Sequence, residues 1–202
     1  MTFDLPLIFV DRFGVFVFAL SGGIVAVRKE MDVFGAVVLA VITAVGGGTF
    51  RDMILNVPVF WLQDTLTLWL AIAGGVLAFY LHRIVDAMKP IRWADAAGLA
   101  VFAIAGAAKT ASLGHGPLIV VIMGVMTGTG GGVLRDVVAN RDPLLLKEDI
   151  YATAALVGAG LYATLHFGGF PEGWAFAAGV AAAFILRGAA LIFGWHLPKG
   201  RP

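Results

Sequence analysis

At two places in this sequence, an arginine followed directly by an aspartate lies shortly after three consecutive glycines. The first copy reads GGGTFRDMILN over residues 46–56, and the second reads GTGGGVLRDVVAN over residues 128–140. Both copies lie within long apolar stretches, where a carboxylate or a guanidinium is costly and normally faces a partner or a water-filled path. The pattern therefore predicts a polar cavity at membrane depth whose electrostatic potential these charges shape.

Helical spacing places the polar residues of each copy on two adjoining stripes of a helix. We expect this set, together with the glycine triplets and the threonine three residues before each triplet, to line or gate the cavity. Its members are Thr43, Gly46, Gly47, Gly48, Arg51, Asp52 and Asn56 in the first copy, and Thr127, Gly130, Gly131, Gly132, Arg135, Asp136 and Asn140 in the second.

The arginine and the aspartate of each copy are neighbours in sequence, and neighbouring residues of a helix do not face one another. We therefore expect Arg51 and Asp52 to find partners in the other copy of the motif rather than to form a tight pair. The alternative is an arginine that extends to the membrane surface while the aspartate caps a restarted half-helix.

The glycine triplets fall well inside the membrane. Residues 33–45 would form a helical run of about 20 Å, at about 1.5 Å per residue, before the first triplet begins. Glycine is about 1 kcal/mol worse than alanine per helical position, so we expect a kink or a short unwound segment in each helix. The alternative is that these small residues permit close packing between helices.

The elements that carry these residues are predicted to be membrane helices. The composition is 60% hydrophobic and 13% charged, with a mean hydropathy of +0.93, which is far from that of a soluble domain. Seven apolar stretches are long enough to cross a bilayer core of about 30 Å, and they leave no room for a soluble domain. The predicted spans are residues 6–27, 33–56, 66–84, 94–113, 117–139, 150–168 and 174–195.

The chain contains an internal repeat. A shift of 84 residues aligns the glycine triplets, the Arg-Asp pairs and the asparagines without a gap, and the match covers residues 11–82 and 95–166. Each copy holds three spans, so the second copy enters the bilayer from the opposite face, as an inverted repeat does. We thus predict one all-α transmembrane domain over residues 1–202, with glycine-broken second and fifth helices and an extra helix at 174–195.

Basic residues concentrate at the junctions on one side of this seven-span path. The positive-inside rule then places the amino terminus outside and the carboxyl terminus in the cytoplasm, in a cell (inner) membrane. The cytoplasmic set is Arg28, Lys29, Arg83, Lys89, Arg92, Arg135, Arg141, Lys147, Lys199 and Arg201, against Arg12, Arg51 and Lys109 on the other side.

Lys109 breaks the symmetry of the repeat, because the shift of 84 residues aligns it with Val25. The predicted span ends about four residues later, or roughly 6 Å, so its ammonium could reach the outer surface. The other interpretation is that Lys109 points inward at the cavity or at an acceptor near a broken helix, where a membrane voltage acts on its charge. The sequence leaves both interpretations open.

Several classes of function find no support in the sequence. The chain has no cysteine, which excludes disulfides, thiol catalysis and thiolate metal sites. No basic patch alternates with aromatic residues, so nucleic acid is not an expected partner. The four histidines are scattered at span ends, and there is no nucleophile motif or metal-spaced carboxylate cluster. We therefore expect no enzyme, no cofactor and no tightly bound metal.

The duplicated motifs in a seven-span chain resemble the trimeric intracellular cation (TRIC) channel family, in its bacterial branch. The resemblance implies a homotrimer in a lipid membrane, with a hydrophilic pore inside each protomer that is kinked at the glycines and passes monovalent cations, mainly potassium. Animal relatives bind a phosphoinositide through a Lys-Glu-Gly motif. The corresponding region here reads KTASLGHG over residues 109–116, so we do not expect that lipid site.

Inverted repeats with broken helices are also common in secondary transporters. A transporter of a small solute, such as the amino acid glycine, therefore remains the alternative function. A structural or enzymatic membrane protein is a third and weaker possibility. Unitary currents would identify a channel, whereas saturable uptake coupled to an ion gradient would identify a transporter.

Overall fold

The computed structural model describes residues 5–86, 90–147 and 150–196, and its side chains are described for residues 12–81, 92–146 and 150–196. Every regular element within these ranges is an α-helix, seven of them long and two only four residues long. Their bounds are α1 Leu5–Arg28, α2 Val33–Ile54, α3 Phe60–Gln63, α4 Leu66–Asp86, α5 Pro90–Ser112, α6 Pro117–Val138, α7 Leu144–Lys147, α8 Ala152–Phe167 and α9 Glu172–Phe193.

The long helices lie at the seven predicted spans, and their ends differ from the predicted ends by at most four residues. Within the described part of the chain, four helices are long and apolar enough to cross a membrane by length and composition alone. They are Val33–Ile54, Arg92–Ser112, Pro117–Val138 and Glu172–Phe193, beside the shorter apolar helices Leu66–Leu81 and Ala152–Phe167. The number of crossings and the inverted orientation of the second copy remain predictions.

Helices α2 and α6 end in the same way, at an asparagine with a left-handed backbone. Asn56 has a φ of 52° and Asn140 a φ of 48°, a conformation that asparagine tolerates better than most residues. The amide after each asparagine donates a hydrogen bond to the carbonyl oxygen of Asp52 in α2, at 3.0 Å, or of Asp136 in α6, at 2.8 Å. These bonds terminate both helices shortly after their aspartates.

The glycine triplets lie inside continuous helix. Helix α2 runs unbroken through Gly46–Gly48, and α6 runs unbroken through Gly130–Gly132. The prediction that glycine breaks or unwinds the second and fifth spans is therefore wrong, while a kink in their axes remains a prediction. The physical reason is that packing against neighbouring helices, which needs the missing side chains, outweighs the low helix propensity of glycine.

Helices α2 and α6 cross in antiparallel directions at two reciprocal contacts. A Cβ atom on Gly47 would overlap the carbonyl oxygen of Thr127, and a Cβ atom on Gly131 would overlap the carbonyl oxygen of Thr43. The shift of 84 residues converts each contact into the other, so the crossing follows the internal repeat. Close packing, the alternative role of the triplets, is the one that the structure shows.

Helices α1 and α5 pack beside this crossing in equivalent positions. A Cβ atom on Gly22 of α1 would lie 2.5 Å from the Thr43 hydroxyl oxygen, and Gly106 of α5 meets the Thr127 side chain in the same way. The centre of the molecule is therefore made of α1, α2, α5 and α6, with α4 against α1 and α2 and with α8 and α9 against α5. This packing brings polar residues of α1 and α5 to the ends of α2 and α6.

Candidate functional site

The first Arg-Asp pair is buried and lies in a group of side chains that we call the Asp52 cluster (Arg51, Asp52, Phe60 and Lys109). Oδ1 of Asp52 accepts hydrogen bonds from Arg51 Nε at 2.8 Å and from Lys109 Nζ at 2.7 Å. The Arg51 guanidinium also lies over the Phe60 ring, 5.8 Å from its centre, in a cation–π contact. Helices α2, α3 and α5 therefore meet around one carboxylate.

The second pair lies in the Arg135 cluster (Ser21, Asp95, Arg135, Asp136 and Leu144). Arg135 Nη1 donates to Ser21 Oγ at 2.6 Å and to Asp95 Oδ1. Arg135 Nε and Nη2 donate to the two oxygens of Asp136, at 2.9 and 3.1 Å. This guanidinium connects α1, α5 and α6, and all three charged side chains are buried.

In both clusters the neighbouring arginine and aspartate are directly paired, so the prediction that Arg51 and Asp52 would not pair is wrong. Their side chains leave the helix about 100° apart, but the guanidinium ends a long flexible stem that folds back over the next carboxylate. Burial enforces this fold, because an unpaired buried charge is very unfavourable. Partners from the other repeat are present as well, since Lys109 binds Asp52 and Ser21 binds Arg135.

Each buried aspartate also ties a four-residue helix to the end of a long one. Asp52 Oδ2 accepts from the Phe60 amide at 2.9 Å, and Asp136 Oδ2 accepts from the Leu144 amide at 3.0 Å. Phe60 and Leu144 begin α3 and α7 and are equivalent in the repeat. Each carboxylate therefore both pairs with an arginine and holds the local backbone, at one of the two ends of the crossing.

The clusters differ in their balance of charge and in their exposure. Asp52 is shared by two cations, Arg51 and Lys109, whereas Arg135 is shared by two carboxylates. The side chain of Lys109 keeps 25% of its surface exposed, whereas those of Arg135 and Asp95 keep 1% and 0%. Of the two interpretations of Lys109, the structure shows the inward one, with the ammonium on a carboxylate.

The threonines and asparagines of the predicted set lie outside both clusters. The Thr43 and Thr127 hydroxyls donate to carbonyl oxygens four residues earlier in their own helices, both at 2.6 Å. Asn56 and Asn140 are exposed at the helix ends. Their roles in lining or gating a path remain predictions, and their observed role is to shape the backbone.

Among the buried polar residues that sequence reasoning missed, four lie in or next to the Arg135 cluster: Ser21, Asp95, Tyr151 and Arg187. A signal for Asp95 existed, because the repeat aligns it with Asp11, whose side chain lies outside the described residues. Arg187 is a single charged residue in an otherwise apolar stretch of α9, which should itself have marked it as a site. Ser21 and Tyr151 carry no such signal, because isolated hydroxyls are common in membrane helices.

Long apolar helices around buried ion pairs define a multi-pass helical membrane protein. The orientation of its termini remains a prediction. Five of the basic residues on which that prediction depends lie outside the described side chains, namely Arg83, Lys89, Lys147, Lys199 and Arg201. Within the described residues, no group of three or more histidines or carboxylates is placed to hold a metal ion.

Comparison with known proteins identifies the family to which this chain belongs. A family model described as "Glycine transporter" matches residues 8–83 and 92–167, two ranges that begin 84 residues apart. The UPF0126 inner membrane protein YadS of Escherichia coli (strain K12) is 43% identical over 194 residues, which cover 93% of this chain and 92% of that protein. YvgT, a UPF0126 membrane protein of Bacillus subtilis (strain 168), is 36% identical and covers 92% of each chain.

Solved structures agree with these relatives. The crystal structure of a TRIC trimeric intracellular cation channel orthologue from Rhodobacter sphaeroides matches with a TM-score of 0.91 and 41% identity, over 95% of this chain and 100% of that chain. Another solved TRIC cation channel matches with a TM-score of 0.88 and 34% identity, over 100% and 98% of the two chains. The chain belongs to the TRIC family, which includes the bacterial UPF0126 membrane proteins.

Proposed function

We propose that this protein is a channel for monovalent cations, mainly potassium. Each protomer of a homotrimer would contain its own hydrophilic pore, lined by α2 and α6. The similar solved structures support this proposal, because they are of a trimeric intracellular cation channel orthologue and of TRIC cation channels. Their match over nearly the whole chain leaves no large part of the fold without a counterpart.

The observation that carries the proposal is the position of the two clusters relative to the crossing. Asp52 and Asp136 each lie five residues beyond the glycine that packs at the crossing, or about 8 Å along the helix axis. Because α2 and α6 are antiparallel there, the two carboxylates lie on opposite sides of the contact. Buried charges therefore flank the middle of the protomer on both sides, as a polar path through the membrane requires.

The path must run beside the crossing rather than between the two helices. Gly47 and Gly131 touch the opposite backbone so closely that even a methyl group would overlap it, so an ion cannot pass between them. Helices α1 and α5 supply Ser21, Asp95 and Lys109 to the clusters. We therefore propose that these two helices line the pore together with α2 and α6.

Selectivity in this pore would come from charged side chains. The sequence has no TVGYG segment of the kind that forms rings of carbonyl oxygens in potassium channels. Arg51, Lys109 and Arg135 offset the carboxylates, so the net field is weaker than the number of aspartates suggests. We expect a preference for cations over anions and weak discrimination among monovalent cations.

Secondary transport of a small solute such as glycine is the second candidate, because the antiparallel, repeat-related helices α2 and α6 are of the kind common in transporters. The matching family model adds only the name "Glycine transporter". The experiment that separates the two uses liposomes that contain purified protein. A channel releases trapped potassium at a rate that rises linearly with the gradient and needs no co-substrate. A glycine transporter takes up labelled glycine with saturation and stops when the driving ion gradient is removed.

A further inference from the structure

Arg187 is a buried cation in α9, the helix that lies outside the internal repeat. It is 2% exposed, although α9 is otherwise apolar from Trp174 to Phe193. A guanidinium at membrane depth is costly and is normally retained for a specific contact. The function proposed above does not use this residue.

The contacts of Arg187 lead to the beginning of α8. Its Nη1 donates to the carbonyl oxygen of Ile150 at 3.4 Å. Its guanidinium carbon lies over the ring of Tyr151, 5.2 Å from the centre, within the range of a cation–π contact. Arg187 therefore holds two successive residues, one through the backbone and the other through the aromatic face.

The hydroxyl of Tyr151 reaches the Arg135 cluster beside the second glycine triplet. A Cβ atom on Gly132 would lie 2.6 Å from this hydroxyl oxygen, 3.6 Å from Asp95 Oδ1 and 3.7 Å from Arg135 Nη2. The three side chains thus converge on the space that a side chain at position 132 would occupy. Only glycine leaves the phenol room to approach the ion pair.

Two oxygens at this point are buried and make no hydrogen bond within the described residues, Tyr151 Oη and Asp95 Oδ2. A neutral phenol donates, and a carboxylate oxygen accepts. Both atoms belong to side chains that are at most 1% exposed, so solvent does not compete for them. The phenol lies beside the Asp95–Arg135 ion pair and is therefore well placed to complete the surroundings of Asp95.

We infer that Arg187 is a positioning residue of the Arg135 cluster and acts through Tyr151. It holds the aromatic ring so that the hydroxyl is directed at Asp95, and this sets the potential that the Asp95 and Asp136 carboxylates present to a permeating cation. The inference deepens the proposed function and depends on it for the electrical readout. The first repeat has Leu66 and Thr67 at the positions equivalent to Ile150 and Tyr151, so this arrangement occurs in only one half of the protomer.

The test uses full-length protein with Arg187→Gln, Tyr151→Phe and the double substitution. Ile185→Ala, at an exposed position of the same helix, is the matched control. Tyr151→Phe keeps the ring under Arg187 and removes only the hydroxyl. Reversal potentials in a potassium chloride gradient should show that each single substitution changes the cation-to-anion permeability ratio by a similar factor, about twofold or more, and that the double variant changes it no further.

Amide hydrogen exchange gives a readout that does not need a current. Arg187→Gln should raise exchange at the start of α8 and at the Leu144 amide, by about tenfold, whereas Ile185→Ala should leave it unchanged. Wild-type permeability in Tyr151→Phe, additive effects in the double variant or unchanged exchange in Arg187→Gln would each overturn the inference. Failure of the proposed function would instead appear as the absence of current in the wild-type protein.

Discussion

The ammonium of Lys109 lies 2.7 Å from Oδ1 of Asp52, the oxygen that Arg51 also reaches. Lys109 belongs to the second repeat and Asp52 to the first, so this ion pair joins the two copies. The equivalent of Lys109 in the first repeat is Val25, which cannot make such a contact. The pair is therefore a point where the two halves of the protomer have become chemically different.

Replacing Lys109 with methionine is expected to change the voltage dependence of opening more than the stability of the protein. Moving one charge through 100 mV is worth about 2.3 kcal/mol, and even part of this energy shifts an equilibrium between states that differ by a few kcal/mol. Open probability against voltage in planar bilayers measures the change. Lys29→Met is the control, because Lys29 is exposed and donates to the Asn140 carbonyl. A Lys109→Met curve that overlays the wild-type curve would make Lys109 a structural residue.

Asp52→Asn is expected to lower the potassium-to-chloride permeability ratio more than Asp136→Asn does. The first substitution leaves two cations, Arg51 and Lys109, without their shared carboxylate, whereas the second leaves Asp95 on Arg135. Loss of one partner of a buried pair also costs about 3–5 kcal/mol of stability, so assembly must be measured in parallel. The double variant Asp52→Asn with Lys109→Met should recover part of the potassium-to-chloride permeability ratio that Asp52→Asn loses. Wild-type selectivity in both well-assembled asparagine variants would show that the carboxylates are structural.

Gly47→Ala and Gly131→Ala are expected to destabilise the protein, because the added methyl groups overlap the Thr127 and Thr43 carbonyl oxygens. Leucine at either position should therefore disrupt assembly rather than merely obstruct a path. Thermal unfolding in detergent is the measurement. Gly160→Ala is the matched control, since it lies in a helix with open space around its Cβ position and should gain up to about 1 kcal/mol. Equal unfolding temperatures for Gly47→Ala and the wild type would contradict the observed packing.

The orientation of the chain can be measured with single cysteines, because the natural sequence has none. Ser112→Cys, at the last residue of α5, and Arg141→Cys, just after α6, place thiols at exposed positions near opposite ends of α6. The positive-inside rule predicts that a membrane-impermeant maleimide labels the cysteine at 112 in intact cells and labels the cysteine at 141 only after lysis. The reverse pattern would place the amino terminus in the cytoplasm.

The positions of the helices could be predicted from the sequence, because length and hydropathy are local properties. The repeated motif likewise marked the two Arg-Asp pairs, which the structure places in buried ion pairs. The pairing of Arg51 with Asp52 could not be predicted in this way. Helical spacing gives only the directions of the Cα–Cβ bonds and does not account for how far a long side chain can reach. The prediction that the glycine triplets break their helices failed for a related reason. Propensity describes an isolated helix, whereas Gly47 and Gly131 are held by contacts with the distant residues Thr127 and Thr43 of the opposite helix.

The residues next to the Arg135 cluster could not be predicted either. No sequence pattern links Tyr151 or Arg187 to the glycine motif, and only the packing of α5, α8 and α9 places Arg187 on Tyr151 beside this cluster. An intramembrane arginine should nevertheless be treated as a candidate wherever it occurs. Applied to α9, that rule alone would have identified Arg187.

Current through the purified wild-type protein tests the central claim most directly. The protein is inserted into a planar bilayer between solutions with a tenfold difference in potassium chloride. A cation channel gives discrete unitary currents whose reversal potential lies close to the potassium equilibrium potential, about 59 mV for a monovalent ion. Assembled protein that gives no unitary current, and that in liposomes takes up a small solute only with an ion gradient, would contradict the proposal.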